Sequence, residues 1–171
     1  MTTGNAPETD APQTTPDYDL LARQVEALAQ GEPHWLPTLC NAAALLWDAL
    51  DRVNWVGFYL VDARGDLLLG PFQGKIACIR IHPGRGVCGT ALAADLPQLV
   101  PDVHEFPGHI ACDSASNSEV VVPLHAGGRV IGVLDVDSPE LARFSPADLA
   151  GLGRIAGAIE ASTDFRGLPL G

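Results

Sequence analysis

Residues 119–138 read EVVVPLHAGGRVIGVLDVDS, and this stretch decides the fold. Two β-branched runs flank Gly127-Gly128, a pair that accepts the positive φ angles of a tight hairpin turn. Strands joined by so short a turn are antiparallel neighbours. Alternation along the second run places Val133, Asp135 and Asp137 on one face and Gly132, Leu134 and Val136 on the other. One face is apolar and suited to pack on helices, while the other turns acidic toward its end. If the first run pairs alongside, Glu119 falls near that same acidic end.

Upstream lies a further succession of strands. NWVGFYLVD (54–62) is aromatic and β-branched and ends at Ala63-Arg64-Gly65-Asp66, a turn sequence. DLLLGPFQG and KIACIRIHPG follow as strands, a short helix is expected around Thr90–Ala94, and LPQLVPDV returns extended. By alternation Trp55 and Tyr59 share a face opposite to Phe58. Before the strands, one helix is expected over 17–30, stopping at Gly31, and Pro33 opens a second. Leu36, Leu39, Cys40, Ala43, Leu46, Trp47 and Leu50 recur there at helical spacing, which assigns Cys40 to the core. After the hairpin, Ser145-Pro146-Ala147-Asp148 is a helix start, and Leu149, Leu152, Ala156 and Ile159 form its apolar face.

Helices, then a mostly antiparallel sheet, then a closing helix make an α+β domain with helices on one sheet face. The domain is expected over 17–165, after a disordered acidic tail (1–16) and before a short C-terminal tail (166–171). A chain of 171 residues buries a core without metal or disulfide staples. A net charge of −11 with only ten Lys and Arg excludes a nucleic-acid partner. No apolar run approaches the ~20 residues that cross a bilayer, and the N-terminus lacks the basic and apolar parts of a signal peptide. A cytoplasmic location is expected, where the four cysteines are free thiols, metal ligands or redox catalysts and not a structural framework.

Two motifs resemble known sites without their context. GRGVCG (84–89) matches G-x-G-x-x-G, yet no βα repetition follows to build a dinucleotide-binding sheet, and no Lys-Ser/Thr completes a P-loop. HEFPGH (104–109) is broken by Pro107-Gly108, and Cys78, Cys88 and Cys112 form no C-x-x-C pair, so no metal site is expected.

GHIACDSASNSEVVVPL (108–124) sets Cys112 in a long loop of small polar residues leading into Glu119. Carboxylates near a thiol raise its pKa, so Glu119, Asp135 and Asp137 suit a substrate that carries a positive group or needs a proton as it reacts. Sulfoxide reduction combines both demands. A thiolate attacks sulfur, an acid protonates the departing oxygen, and a second thiol condenses with the resulting sulfenic acid.

NWVGFYL, LGPFQGKIACIRI, GRGVCGTA, VPDVHEFPGHIACDSASNSEVVVPL and GVLDVDSP together closely resemble the free methionine-(R)-sulfoxide reductases, enzymes with a GAF-domain fold. The likeness is dense from Asn54 to Pro139. It implies a GAF-like sheet with the ligand pocket on the face away from the terminal helices. It also implies a thiol-dependent reductase for free methionine sulfoxide, reset by thioredoxin, with no bound cofactor, and a possible homodimer. By the resemblance Cys112 attacks sulfur and Cys78 closes the disulfide, with Cys88 a third cysteine able to substitute for it. Glu119, Asp135 and Asp137 correspond to the residues that hold the ammonium group and assist protonation. Trp55 and Tyr59 correspond to the aromatic pocket around the methylsulfinyl group, and Ser116 is a candidate for the carboxylate or sulfoxide oxygen. A small-ligand GAF sensor without chemistry, or a thiol redox switch, are the competing functions.

Overall fold

The computed structural model describes residues 15–108 and 115–168, so Cys112 and nearly all of the expected N-terminal tail lie outside the described residues. Helix α1 (Tyr18–Ala29) begins where the Asp17 carboxylate accepts the Leu20 N–H. Helix α2 (Trp35–Ala49) is capped by His34, whose ring nitrogen accepts the Leu36 N–H. Pro33 therefore precedes the helix instead of opening its first turn, and its carbonyl accepts the Asp164 N–H at 2.6 Å. The buried face of α2 is Thr38, Leu39, Ala42, Ala43 and Leu46. Leu36, Trp47 and Cys40 are exposed, so the assignment of Cys40 to the core was wrong. At about 100° per residue, Cys40 sits roughly a quarter-turn round from Leu39, just beyond the edge of the stripe.

Six strands form one antiparallel sheet: β1 (Trp55–Val61), β2 (Leu67–Gly74), β3 (Arg80–Ile81), β4 (Gln98–Val100), β5 (Ser118–Ala126) and β6 (Arg129–Ser138), in spatial order β3-β2-β1-β6-β5-β4. The β5–β6 turn is Gly127-Gly128, both with positive φ (60° and 75°), between the paired residues Ala126 and Arg129. KIACIRIHPG contributes only Arg80 and Ile81 to the sheet. The Ile79 carbonyl still accepts the Leu69 N–H at 2.9 Å, and Ile76 and Ile79 are exposed on either side of Cys78.

Helix α3 (Gly86–Ala94) starts four residues earlier than the expected Thr90. Gly84 and Gly86, at φ 75° and 61°, make the turn into it. Gly89 lies within the helix, where a Cβ would fall 2.4 Å from the His82 carbonyl oxygen. The closing helix α4 (Pro146–Ser162) has a complete capping box between Ser145 and Asp148. Its buried face holds Leu152, Ile155, Ala156 and Ile159, and Leu149 is partly buried.

The two faces of the sheet carry separate cores. On one, α2 and α4 pack over Val56, Phe58, Leu60, Val120, Val122, Leu134 and Val136, and α1 packs on α4 and α2. Phe165 and Leu168 join this core, beyond the end of α4. On the other face α3 lies against β5 and β6, its Val87, Cys88 and Ala91 sharing a core with Trp55, Tyr59, Val121 and Val133. No helix among the described residues is long and apolar enough to cross a membrane.

Candidate active site

The second face is not fully covered. Between α3, the Lys75–Ile79 segment and the β1, β5 and β6 strands lies a pocket with about 520 Å³ of empty space, part of it open to solvent. Its walls include Trp55, Tyr59, Cys88, Ser116, Glu119, Asp135 and Asp137, seven of the nine residues singled out by sequence.

Strand register assembles the acidic wall. Glu119 of β5 pairs with Asp137 of β6, and Asp135 pairs with Val121 on one side and Gly57 on the other. Because Glu119, Asp135 and Asp137 all occupy outward positions of adjacent strands on one face, their carboxyl groups converge. Glu119 and Asp135 are 6% and 5% exposed, which forbids two independent charges. Burial, then the neighbouring Asp135 and Asp137, push the Glu119 carboxyl well above the usual carboxylate range. Burial likewise raises Asp135 to about 7. Burial therefore biases both carboxyl groups toward their protonated forms. Asp135 Oδ1 is buried without a hydrogen-bond partner among the described residues.

The aromatic wall comes from β1, with Phe72 of β2 packed behind it. The Trp55 ring stacks on Tyr59 at 5.7 Å and on Phe72 at 5.3 Å, while its indole N–H donates to the Lys75 carbonyl. Tyr59 donates its hydroxyl to the carbonyl of Cys78 at 3.1 Å, and burial, together with Asp135, keeps that hydroxyl protonated. As alternation requires, Phe58 points into the opposite core.

Among the cysteines, Cys88 is a buried free thiol in the first turn of α3. Its Sγ lies 3.8 Å from Glu119 Oε1, and burial plus Asp135 and Glu119 push its pKa well up. Cys78 is held in a disulfide, whereas Cys40 and Cys88 are not. Ser116 is buried, and its hydroxyl accepts from the Asn54 amide. Cys112 lies outside the described residues.

Several lining residues had no sequence signal. Arg85, Gly86 and Val87 line the pocket at the start of α3, together with Ile76, Ala77 and Ile81. Arg85 caps the helix without a side-chain hydrogen bond, and the Gly86 N–H donates to the Gly108 carbonyl at 3.2 Å, which leaves the Val87 and Cys88 N–H groups without intrahelical acceptors. The clue to the α3 residues is GRGVCG, which the family resemblance makes a glycine-dependent turn bringing Cys88 and its neighbours to the pocket rim. Cys88, Glu119 and Asp135 could also hold a small cation, since one ligand atom from each lies within 4.8 Å of the others.

The helix-flanked antiparallel sheet with a pocket on its free face matches the GAF domain family over residues 35–162. The chain is 51% identical over 152 residues to the free methionine-R-sulfoxide reductase of Escherichia coli K12, covering 87% of this chain and 92% of that one. It is 43% identical to the enzyme of the same name from Saccharomyces cerevisiae, over 82% of each chain. The substrate complex of fRMsr from Staphylococcus aureus superposes with a TM-score of 0.83 at 46% identity, covering 88% of this chain and 98% of that one. The substrate complex of free methionine-R-sulfoxide reductase from Neisseria meningitidis gives 0.81 at 49% identity, over 85% and 87% of the two chains. The chain belongs to the free methionine-R-sulfoxide reductase family of GAF-domain proteins.

Proposed function

We propose that this protein is an enzyme reducing free L-methionine-(R)-sulfoxide to methionine, with Cys112 as nucleophile, Cys78 as resolving cysteine and thioredoxin as external reductant. The observation that carries the reading is the buried Glu119–Asp135 pair, with half-buried Asp137, lining one pocket together with Trp55 and Tyr59. An amino-acid sulfoxide presents the complementary parts: an ammonium group, a methylsulfinyl head and a carboxylate. The relatives from Escherichia coli and Saccharomyces cerevisiae bear the name of this activity.

In this reading the carboxylates take the ammonium group and Trp55 lies beside the methyl. The carboxylate meets the first N–H groups of α3 and Arg85, with Ser116 as a further donor. The Cys112 thiolate attacks the sulfoxide sulfur, and a proton carried by the Glu119–Asp135 pair supplies the departing oxygen. Methionine leaves, and Cys112 carries that oxygen as a sulfenic acid. A Cys78 thiol then forms the S–S bond and releases water, and a dithiol reductant exchanges with the disulfide to restore both thiols. The disulfide state of Cys78, with Cys88 a free thiol, favours Cys78 as the resolving residue. Cys88 then acts as a buried neighbour of the acid pair. No bound cofactor takes part, and a cytoplasmic homodimer completes the proposal, the last on the resemblance to the family.

The test is NADPH oxidation through thioredoxin reductase and thioredoxin, with both free sulfoxide epimers and a peptide-bound sulfoxide. Turnover is expected with the free R epimer only. Cys112→Ser should abolish it, and Cys78→Ala should release about one methionine per active site before stopping. Multiple turnover by Cys112→Ser would overturn the assignment.

A further inference from the structure

The closed end of the pocket offers a donor set that the proposed reduction does not exhaust. Cys88 Sγ and one oxygen each of Glu119 and Asp135 lie within 4.8 Å of one another, with Sγ 3.8 Å from Glu119 Oε1. A tetrahedral Zn²⁺, with bonds of about 2.3 Å to sulfur and about 2.1 Å to oxygen, holds such ligands about 3.5 Å apart. Closing the cluster on an ion therefore takes side-chain shifts of about 1 Å. A second observation points to a ligand here. Asp135 is 5% exposed, lines the pocket, and keeps Oδ1 without a hydrogen-bond partner among the described residues. A buried carboxylate oxygen left unpartnered is costly, and a cation relieves that cost. Cys88 is a free thiol even while Cys78 is disulfide-bonded, so its sulfur is available in that state.

We infer that this protein binds one borderline-soft divalent cation of the Zn²⁺ class through Cys88, Glu119 and Asp135, with the fourth coordination position turned toward the pocket. The thiolate selects against Mg²⁺ and Ca²⁺, which take oxygen ligands. As the ion binds, the Cys88 S–H bond breaks and the Glu119–Asp135 pair gives up the proton it carries, both protons passing to buffer. Resting on the substrate pocket proposed above, the ion and the substrate ammonium compete for the same two carboxylates, so the metal acts as a reversible inhibitor.

The experiment uses the disulfide form of the full chain in a Cys40→Ser background, which removes the exposed free thiol. Titration with Co²⁺ should give a thiolate-to-cobalt charge-transfer band saturating at one ion per chain, and excess Mg²⁺ should leave it unchanged. Cys88→Ser should remove the band. Asp135→Asn should weaken Zn²⁺ binding, read by competition with a chromogenic chelator, by roughly tenfold or more. Absence of a band in the parent, an equal band in Cys88→Ser, or unchanged zinc affinity in Asp135→Asn would each overturn the site. Free methionine-(R)-sulfoxide should bleach the cobalt band. If binding holds but the sulfoxide leaves the band intact, the shared-carboxylate substrate pocket fails while the metal site stands.

Discussion

Asp135 concentrates the tension of the site in one side chain. Its carboxyl is buried among Cys88, Glu119 and the strands on either side, and its pKa stands at about 7, against a value near 4 in the unfolded chain. Between those values the folded protein binds more protons than the unfolded one, so stability falls as pH rises. The contribution is intact below about pH 4 and is lost through about pH 7. Asp135→Asn removes a charge that the fold resists but keeps the shape. The variant should match the parent in thermal melting near pH 4 and melt several degrees higher near pH 8, while losing affinity for the ammonium-bearing substrate. Equal melting temperatures at both pH values would show that Asp135 is not held at an elevated pKa. The same residue would thus be a liability for folding and an asset for binding.

At the scale of the element, α3 matters most because its N-terminus brings Cys88, the first backbone N–H groups and Arg85 to one side of the pocket. The helix can start there because of three glycines. Gly84 and Gly86 adopt positive φ, and Gly89 lets the His82 carbonyl approach while its own carbonyl accepts the Gly84 N–H at 2.7 Å. Gly89→Ala puts a methyl group 2.4 Å from a backbone oxygen, an overlap that only movement of the turn can relieve. We expect a loss of about 1–3 kcal/mol in urea denaturation and a raised KM for the sulfoxide, since the turn and the helix start would shift together. A variant with unchanged stability and KM would mean that the turn is soft and does not position the site.

For the molecule as a whole, the sheet separates two jobs. Its helix-covered face carries the larger core, and the opposite face keeps an incompletely filled pocket. The free thiols report that division. Cys40 is exposed on α2, whereas Cys88 is 4% exposed on the sheet-facing side of α3 and raised in pKa by burial and its acidic neighbours. In the disulfide form, iodoacetamide should modify Cys40 readily and Cys88 at least roughly tenfold more slowly, with both reacting after denaturation. Mass-spectrometric peptide mapping reads the two sites separately. Fast labelling of Cys88 in the folded protein would show that α3 opens from the sheet.

The sequence by itself determined the hairpin at Gly127-Gly128, the acidic face of Asp135 and Asp137, the opposition of Trp55 and Tyr59 to Phe58, and the capped closing helix. These follow from alternation, turn chemistry and capping, which are properties of neighbouring residues. It misjudged Cys40, because a stripe of apolar residues shows that a helix has a buried side without fixing that side's edges. It placed the start of α3 too late, because the contact between His82 and Gly89 that allows an early start cannot be seen in residue preferences. Only the tertiary structure decided that Glu119 lies across from Asp137, that burial raises the Glu119 and Asp135 carboxyls together, and that Arg85 joins the pocket. Register between strands and burial beneath a helix belong to the folded whole, since each depends on which distant segments exclude water from the same place.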